Sequence, residues 1–237
     1  MTQSEQKKLA AETAVDAMIS EGKIFSGMKI GLGTGSTAMP AVHRLAERIK
    51  DGTLKDIKAV VTSFQTSNAC QDLGIQVYSM NDRVIGGRLD LAVDGADEAD
   101  AQNNLIKGGG AALLREKIVA YNSSLFVIVI DESKDVKSLG TKFPVPVEIV
   151  EEARVPVTAA LERLGAECKL REGVRKCGPV ITDNGNQILD CLWQNPVNPS
   201  EMEAKIDEIA GVVEVGLFTK NKPIIFVAHE DGSVLRR

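Results

Sequence analysis

The chain has 237 residues, of which 43% are hydrophobic and 26% are charged, and its net charge is -5 at pH 7. These values are typical of a globular protein of one or two domains and argue against wholesale disorder, which requires low hydrophobicity and high net charge. The negative charge argues against nucleic acid or a membrane surface as a partner. No apolar run approaches the roughly 18 residues of a transmembrane helix, and the polar N-terminus shows no secretory signal.

The first 143 residues show strands that alternate with helices, which is the pattern of a parallel sheet. The first helix begins at a capping box, in which Glu5 follows Thr2 by three positions, and Gly22 marks its end. The segment LFVIVI at 125–130 is apolar throughout, as in a strand that is buried on both faces. Further strands are predicted at 28–32, 57–64, 75–78 and 89–93, and further helices at 38–50, 68–73 and 111–121.

A different pattern begins near residue 144, where prolines interrupt the chain. Its order of strand, helix, strands, helix and strand is that of a small α+β split-βαβ module. We therefore predict an α/β domain of residues 1–143 and 219–237, with a smaller α+β domain inserted at 144–218. The predicted elements are strands at 147–150, 168–171, 180–182, 187–192 and 212–218, helices at 155–164 and 199–210, a hairpin turn at Asn184-Gly185, and a last strand at 224–228 with a turn at Asp231-Gly232.

Cysteine and histidine usage gives no metal-site pattern, because there is no C-x-x-C pair and the histidines are too few for a structural zinc site. Both histidines are interpreted as structural residues. Reduced thiols in a cytosolic protein are the simplest interpretation of the cysteines, and a Cys177–Cys191 bridge across the predicted hairpin is the alternative. The residues concerned are Cys70, Cys168, Cys177, Cys191, His43 and His229.

A turn rich in glycine, GLGTGST at 31–37, lies between a predicted strand and a predicted helix. Glycines let the backbone approach an anion, to which helix N-terminal N–H groups and hydroxyls can donate. The turn is not a dinucleotide fingerprint, because Ser36 stands where the third glycine is required and the next strand ends without an acidic residue. No lysine follows as in a P-loop. A small phosphate ester held by Thr34, Ser36 and Thr37 fits better, and a simple capped turn is the alternative.

An acidic segment, DGADEAD at 94–100, follows a predicted buried strand. Ligands of open parallel sheets bind outside the carboxyl ends of the strands, so Asp94 and Asp97 are candidates to bind sugar hydroxyls, to exchange protons or to hold a divalent cation. An acidic turn in solvent is the alternative. Glu98 and Asp100 are interpreted as solvated.

The segment KGGG at 107–110 precedes a predicted helix. Three successive glycines cost conformational entropy, which indicates that something approaches the backbone there. Lys107 could supply positive charge to an anion or a developing oxyanion.

A carboxylate, Glu116, lies on the helix that follows, and its neighbours three and four positions away are all apolar. Burial among them would raise the pKa of this carboxyl. Arg115 and Lys117 have similar neighbours, so the pattern does not select Glu116, and a solvated surface charge is the usual state of a helix carboxylate. The apolar neighbours are Ala112, Leu113, Val119 and Ala120.

Together these segments resemble the ribose-5-phosphate isomerase A family, in order and over essentially the whole chain. The resemblance implies a Rossmann-like α/β domain with an inserted ferredoxin-like lid. It also implies a cytoplasmic homodimer or homotetramer that interconverts ribose 5-phosphate and ribulose 5-phosphate, in the non-oxidative pentose phosphate pathway, without metal or nucleotide cofactor. The segments that carry it are GLGTGST (31–37), DGADE (94–98), KGGGAALLREK (107–117), DESK (131–134), KFPVPVE (142–148), ITDNGN (181–186) and GVVEVGLF (211–218).

The resemblance also implies roles for individual residues. Glu116 would be the base that moves a proton between C1 and C2, and Asp94, Asp97 and Lys107 would surround the reacting sugar. Lys7 would help to hold phosphate, although Lys8 beside it leaves the register open. The remaining implied substrate contacts are Thr34, Gly35, Ser36, Thr37, Gly95, Ala96, Gly108, Gly109, Gly110 and Lys134.

Two other functions compete with this interpretation. A nicotinamide-dependent oxidoreductase is disfavoured by the incomplete glycine pattern. A module that binds a phosphosugar without turnover is disfavoured by the joint presence of Asp94, Lys107 and Glu116. The longer link at 175–179, before the predicted hairpin, is a departure from the family and lies in the predicted lid.

Overall fold

The structure is a computed structural model that describes residues 1–237. The chain divides into two compact units. The first unit comprises Met1–Ala96, Arg115–Asp135 and Asn221–Arg237, and the second comprises Asp97–Leu114 and Val136–Lys220. The predicted domains divide the chain differently, since residues 97–114, 136–143 and 219–220 cluster with the second unit. None of the helices is long and apolar enough to span a bilayer.

Six α-helices and thirteen strands form the two units. The helices are α1 (Gln3–Ser20), α2 (Gly35–Lys50), α3 (Phe64–Asp72), α4 (Leu113–Tyr121), α5 (Arg154–Arg163) and α6 (Pro199–Asp207). The strands are β1 (Lys29–Leu32), β2 (Lys58–Val61), β3 (Leu89–Gly95), β4 (Glu98–Ala99), β5 (Leu105–Ile106), β6 (Ser123–Asp131), β7 (Val145–Ile149), β8 (Ala166–Leu170), β9 (Gln187–Trp193), β10 (Val212–Val215), β11 (Leu217–Phe218), β12 (Ile224–Ala228) and β13 (Val234–Arg236).

The first unit contains a six-stranded sheet in the order β13-β12-β6-β3-β1-β2. All neighbouring strands are parallel except β13, which forms the terminal hairpin with β12 that was predicted from Asp231-Gly232. The apolar strand β6 is buried between two neighbours, as its sequence predicts. The predicted strand at 75–78 is wrong, because that segment makes only an isolated bridge between Val77 and Ala59. The α/β class is confirmed.

The first helix shows how local sequence and packing act together. Thr2 accepts a hydrogen bond from the backbone of Glu5, and the Glu5 carboxylate accepts one from the backbone of Thr2, so the predicted capping box is confirmed. Behind it, Ala10, Ala14 and Met18 form one buried face of α1. This face packs in the core of the first unit, which fixes the helix against the sheet.

The second unit contains a four-stranded antiparallel sheet in the order β10-β7-β9-β8. Helix α5 connects β7 to β8, and α6 connects β9 to β10. In chain order within this sheet, the strands therefore lie 4-1-3-2 with two crossover helices, which is the predicted ferredoxin-like split-βαβ arrangement. Its core is formed by apolar side chains of the strands and of both helices, among them Val147, Ile149, Val157, Leu161, Leu189 and Ile206.

Two predicted strands of this unit differ from the structure. No strand forms at 180–182, where the turn is closed by a hydrogen bond from the Thr182 amide to the Asn186 carbonyl, with Gly185 at a φ of 86°. The predicted strand at 212–218 is divided between β10 and β11 at Gly216. Strand β11 belongs to a separate three-stranded antiparallel sheet in the order β11-β5-β4. A Cβ at position 216 would lie 2.3 Å from the carbonyl oxygen of Lys107, so only glycine allows the chain to pass from the four-stranded sheet to this one.

The cysteines do not form the Cys177–Cys191 bridge that the sequence offered as an alternative. Cys168 on β8 and Cys191 on β9 are register partners, and their Sγ atoms lie 3.5 Å apart. Cys177 is exposed, and all four cysteines are free thiols. A Cys177–Cys191 bridge is therefore wrong, because the register of the sheet directs Cys191 toward Cys168 instead.

Candidate active site

The sheet of the first unit has a topological switch point between β1 and β3. The chain passes from β1 to β2 on one side, whereas β3 and β6 lie on the other side. The loops that follow β1 and β3 therefore diverge at the carboxyl ends of these strands and leave a crevice between them. Open α/β sheets bind ligands in such a crevice. The glycine-rich turn follows β1, and Asp94 lies at the end of β3, so the fold brings two of the predicted segments together.

Asp94 is packed against the glycine-rich turn. A Cβ at position 33 would lie 1.9 Å from Asp94 Oδ1, so the close approach requires glycine at Gly33. The same oxygen accepts hydrogen bonds from the amides of Thr34, at 3.2 Å, and of Gly95, at 2.7 Å. The buried carboxylate is thus fixed at the end of β1 by the backbone around it.

The start of α2 differs from the prediction, because the helix begins at Gly35 rather than at Ala38. The hydroxyl of Thr34 is turned toward the end of β2 and the start of α3, where it lies within hydrogen-bond distance of three other hydroxyls. Ser36 is exposed and Thr37 is half-buried on the first turn of α2. The hydroxyl partners of Thr34 are Thr62 at 2.6 Å, Ser63 at 2.8 Å and Thr66 at 3.2 Å.

A lysine approaches the first turn of α2. Lys7 Nζ of α1 donates to Ser36 Oγ at 3.3 Å. Lys8 is exposed and faces Glu12 instead, with 3.8 Å between the charged atoms. Of the two lysines, Lys7 is therefore the one that lies at the start of α2. An ammonium group, a hydroxyl and a helix N-terminus converge at this point, which is a favourable environment for an anion.

Glu116 lies in the first turn of α4 and is 5% exposed. Val119, one turn later on the same face, packs on β1 so closely that a Cβ at position 31 would lie 2.3 Å from its Cγ1. Helix α4 ends just before β6 begins, so it runs opposite to the strands, and its first turn lies toward their carboxyl ends. Glu116 is thus buried at the edge of the sheet that carries Asp94.

The neighbours of Glu116 on the helix have different environments. Arg115 is half-buried, with its guanidinium 5.0 Å from the ring centre of Phe64. Lys117 is buried, with its ammonium 5.7 Å from the ring centre of Tyr121. The sequence left two states open for Glu116, and the structure shows the buried one rather than a solvated surface charge. The apolar pattern does not single it out, since Lys117 is buried as well.

Residues around the end of β3 and the end of β6 complete the candidate set of the first unit. Gly95 and Ala96 are buried, and a Cβ at position 95 would lie 3.0 Å from Cβ of Thr37. Lys134 closes a short 3₁₀ turn, Glu132–Lys134, that follows β6. Because β6 is the parallel neighbour of β3, this turn also lies at the carboxyl edge of the sheet.

In the second unit, Asp97 holds the triple-glycine segment. Asp97 Oδ2 accepts a hydrogen bond of 2.7 Å from the amide of Gly109. A Cβ at position 109 would lie 2.6 Å from Asp97 Oδ1 and 3.0 Å from the Phe143 ring, which explains the glycine. Lys107 is buried, with its ammonium 5.7 Å from the ring centre of Phe218.

The prediction that Glu98 and Asp100 are solvated is wrong. Glu98 is 1% exposed, and its carboxylate accepts hydrogen bonds from the amides of Gly140, Lys142 and Phe143 at 2.6 to 2.9 Å. Asp100 is buried as well and accepts hydrogen bonds from the Gln102 and Asn104 amides and from the Asn104 side chain. Both carboxylates hold loops in place, because buried backbone N–H groups require acceptors.

Arg171 was not singled out by the sequence, although it contacts the triple-glycine segment. Its Nη1 donates to the carbonyl oxygens of Gly108 and Gly109, and Asp190 binds the rest of the guanidinium. No local signal marks Arg171, since it lies more than sixty residues from the glycines along the chain. The register partner of Asp190 is Lys169, two residues before Arg171, so the ion pair is a diagonal contact that the tertiary structure reveals.

No group of three or more His, Cys, Asp or Glu side chains is arranged to hold a metal ion. The cationic and hydroxyl groups at the start of α2, with buried carboxylates at the same sheet edge, define an α/β protein with a candidate site for a small anionic ligand. This class is consistent with several families, which comparison with known proteins distinguishes.

Residues 58–232 match the model of the family described as ribose 5-phosphate isomerase A (phosphoriboisomerase A). The ribose-5-phosphate isomerase A of Treponema denticola is 58% identical over 236 residues, which is 99% of each chain. The solved ribose 5-phosphate isomerase A of Methanocaldococcus jannaschii superposes over 100% of both chains, with a TM-score of 0.89 and 40% identity. A solved D-ribose-5-phosphate isomerase in complex with phospho-erythronic acid superposes over 100% of both chains, with a TM-score of 0.92 and 40% identity.

The chain belongs to the ribose 5-phosphate isomerase A family. It is an isomerase of a family that acts on a phosphosugar, and the resemblance noted in the sequence is confirmed.

Proposed function

We propose that this protein interconverts D-ribose 5-phosphate and D-ribulose 5-phosphate by proton transfer through an enediolate, as a step of the non-oxidative pentose phosphate pathway. The observation that carries the proposal is the burial of Glu116 at the carboxyl edge of the sheet, where Asp94 and the Lys7–Ser36 pair also lie. The complex of a solved relative with phospho-erythronic acid, a phosphorylated sugar acid, supports a phosphosugar as substrate.

The phosphate of the substrate is assigned to the first turn of α2. Lys7 supplies a positive charge there, and Ser36 and Thr37 supply hydroxyls next to helix N–H groups. The backbone of Thr34 and Gly35 completes this turn. Anchoring the phosphate fixes the reacting carbons in place, which converts binding free energy into correct orientation.

Glu116 is assigned as the base of the isomerisation. It removes the proton from C2 of the open-chain aldose and returns a proton to C1, while the hydroxyl proton of O2 is lost and O1 is protonated. Burial suits this role, because a carboxylate that is poorly solvated is a better base near neutral pH.

The intermediate enediolate carries negative charge, and the buried ammonium of Lys107 is assigned to stabilise it. Asp94 and Asp97 are assigned to the sugar hydroxyls and to opening of the ring. The further substrate contacts are assigned to Gly95, Ala96, Gly108, Gly109, Gly110 and Lys134.

One experiment separates this function from its two rivals. The protein is incubated with ribose 5-phosphate as the sole addition in deuterated water and followed by proton NMR. The proposal expects ribulose 5-phosphate that has acquired deuterium from the solvent. A requirement for NAD(P) would indicate the oxidoreductase, and an unchanged sugar would indicate a binding module.

We also propose that the protein acts in the cytoplasm as a homodimer or homotetramer. Its four free thiols fit a reducing compartment. Light scattering coupled to size-exclusion chromatography measures the mass directly, and the mass of a single 25.4 kDa chain would contradict the oligomer.

A further inference from the structure

Arg171 connects two parts of the second unit through one guanidinium group. Its Nε donates to Asp190 Oδ2 at 2.9 Å, and its Nη2 donates to Asp190 Oδ1 at 2.5 Å. Its Nη1 donates to the carbonyl oxygens of Gly108, at 2.8 Å, and of Gly109, at 3.1 Å. The side chain is 15% exposed, and this arrangement uses the fork of the guanidinium for the carboxylate and its free edge for the loop.

The segment that Arg171 holds has an unusual backbone. Gly108 has a φ of 105°, a backbone conformation that residues other than glycine rarely adopt, and Ala111 has a φ of 57°. The Gly108 carbonyl also accepts a hydrogen bond from the Ala111 amide at 2.9 Å. Glycines have the greatest backbone freedom of any residue, so an outside contact is needed to keep three of them in one conformation.

The direction of the two carbonyls fixes the direction of two N–H groups. In a trans peptide the N–H points opposite to the C=O, and the chain contains no cis peptide bond. The Gly109 N–H accordingly points away from Arg171 and donates to Asp97. By the same geometry, the Gly110 N–H points away from the guanidinium, while Gly109 and Gly110 themselves are exposed. The positive charge polarises both peptides and strengthens these N–H groups as donors.

We propose that Arg171 is a positioning residue of the isomerase reaction: supported by Asp190, it fixes and polarises the Gly108–Gly110 backbone that binds the substrate. The proposal rests on the proposed function, which assigns these glycines to substrate. Lysine cannot replace this arginine, because an ammonium group lacks the planar fork that binds a carboxylate and two carbonyls together.

The test compares Arg171→Ala, Arg171→Lys and Asp190→Asn with Arg163→Met, which removes an arginine from an exposed position of the same unit. We expect Arg171→Ala to lower kcat/KM for ribose 5-phosphate by about 10²-fold, the usual effect of misplacing a substrate contact by an ångström. Arg171→Lys should be nearly as impaired, Asp190→Asn intermediate, and Arg163→Met close to wild type. Guanidinium chloride at concentrations far below those that unfold the protein should restore part of the activity of Arg171→Ala, and sodium chloride should not.

A second measurement does not depend on activity. In protein labelled with ¹⁵N-glycine, the amide resonances of Gly109 and Gly110 should move in Arg171→Ala and return when guanidinium is added. A wild-type protein without isomerase activity would refute the proposed function, while the resonances would still report whether Arg171 fixes the loop. Folded Arg171→Ala within twofold of wild-type kcat/KM, an active Arg171→Lys, or unmoved glycine resonances would overturn the role of Arg171.

Discussion

Gly33 and Asp94 lie so close together that a Cβ at position 33 would be 1.9 Å from the Asp94 carboxylate. Asp94 lies in β3 and Gly33 directly follows β1, the parallel neighbour of β3, so their contact places a carboxylate beside the turn that follows β1. The position of the Asp94 side chain therefore depends on the absence of a side chain at Gly33.

Gly33→Ala should displace the Asp94 carboxylate, because a real Cβ cannot occupy that position. We expect kcat/KM to fall by about 10²-fold and the free energy of unfolding to fall by about 1–3 kcal/mol. Steady-state kinetics and urea unfolding measure these effects. In Gly33→Ala/Asp94→Ala the steric conflict is relieved, so stability should recover while activity stays low. A fully active Gly33→Ala protein would contradict the assignment of Asp94.

Glu116→Gln keeps the shape of the side chain but cannot accept a proton. Turnover should fall by about 10²- to 10⁴-fold, the usual contribution of a general base, while ribose 5-phosphate still binds. Exchange of the C2 hydrogen of the aldose with solvent should fall in parallel. Glu47→Gln, at an exposed position of α2, is the matched control. A folded Glu116→Gln protein within a few-fold of wild-type turnover would transfer the role to Asp94 or Asp97.

Lys7→Met and Ser36→Ala should weaken binding of the substrate phosphate, because these side chains meet at the start of α2. Each variant should lose roughly 1.5–3 kcal/mol, the contribution of a hydrogen bond to a charged group. The readouts are KM and inhibition by inorganic phosphate. Lys8→Met changes the same charge at an exposed neighbouring position and should leave both unchanged. Equal phosphate affinity in all of these proteins would mean that the turn is only structural.

Activity should survive prolonged treatment with EDTA. The mechanism assigns stabilisation of the enediolate to Lys107, a cation that the protein itself supplies, and therefore requires no divalent ion. The rate of ribulose 5-phosphate formation is measured before and after removal of the chelator. Loss of turnover in EDTA that a divalent ion restores would show that the acidic segment around Asp94 and Asp97 holds a metal.

Asp16 on α1 binds Arg44 and Arg48 of α2, with nitrogen–oxygen distances of 2.5 and 2.9 Å. Burial by itself raises the pKa of Asp16, but the hydrogen bonds and charges of the two arginines outweigh burial, so the pKa is lowered. A lowered carboxyl pKa stabilises the folded state above the unfolded-state pKa of about 3.9, and this contribution is lost as the pH falls through the folded-state value.

Asp16→Asn should therefore reduce the free energy of unfolding at pH 7 by about 1 kcal/mol, a value discounted because the carboxylate is 36% exposed. The difference from wild type should shrink below about pH 4, where the wild-type carboxylate begins to be protonated. Urea unfolding at a series of pH values measures it. If the difference in the free energy of unfolding stays constant down to about pH 2.5, the stabilisation does not come from the ion pair.

Features that depend on near neighbours along the chain could be predicted from the residues alone. The capping box of Thr2 and Glu5 specified the start of α1, and the apolar run at 125–130 specified a buried strand. Such features need only local hydrogen bonds or the period of a helix or strand, and both can be read from a few consecutive residues. The isomerase function was predicted from the resemblance of the sequence motifs to the ribose-5-phosphate isomerase A family.

Features that join distant segments could not be predicted, because they form only when the chain packs. The burial of Glu98 depends on a loop some forty residues further on, the pairing of Cys191 with Cys168 depends on the register of two strands, and the contact of Arg171 with Gly108 joins segments from different sheets. The splitting of the strand at Gly216 has the same origin. A charged side chain is predicted to be solvated when the backbone donors that surround it are unknown. Those donors come together only when the chain packs.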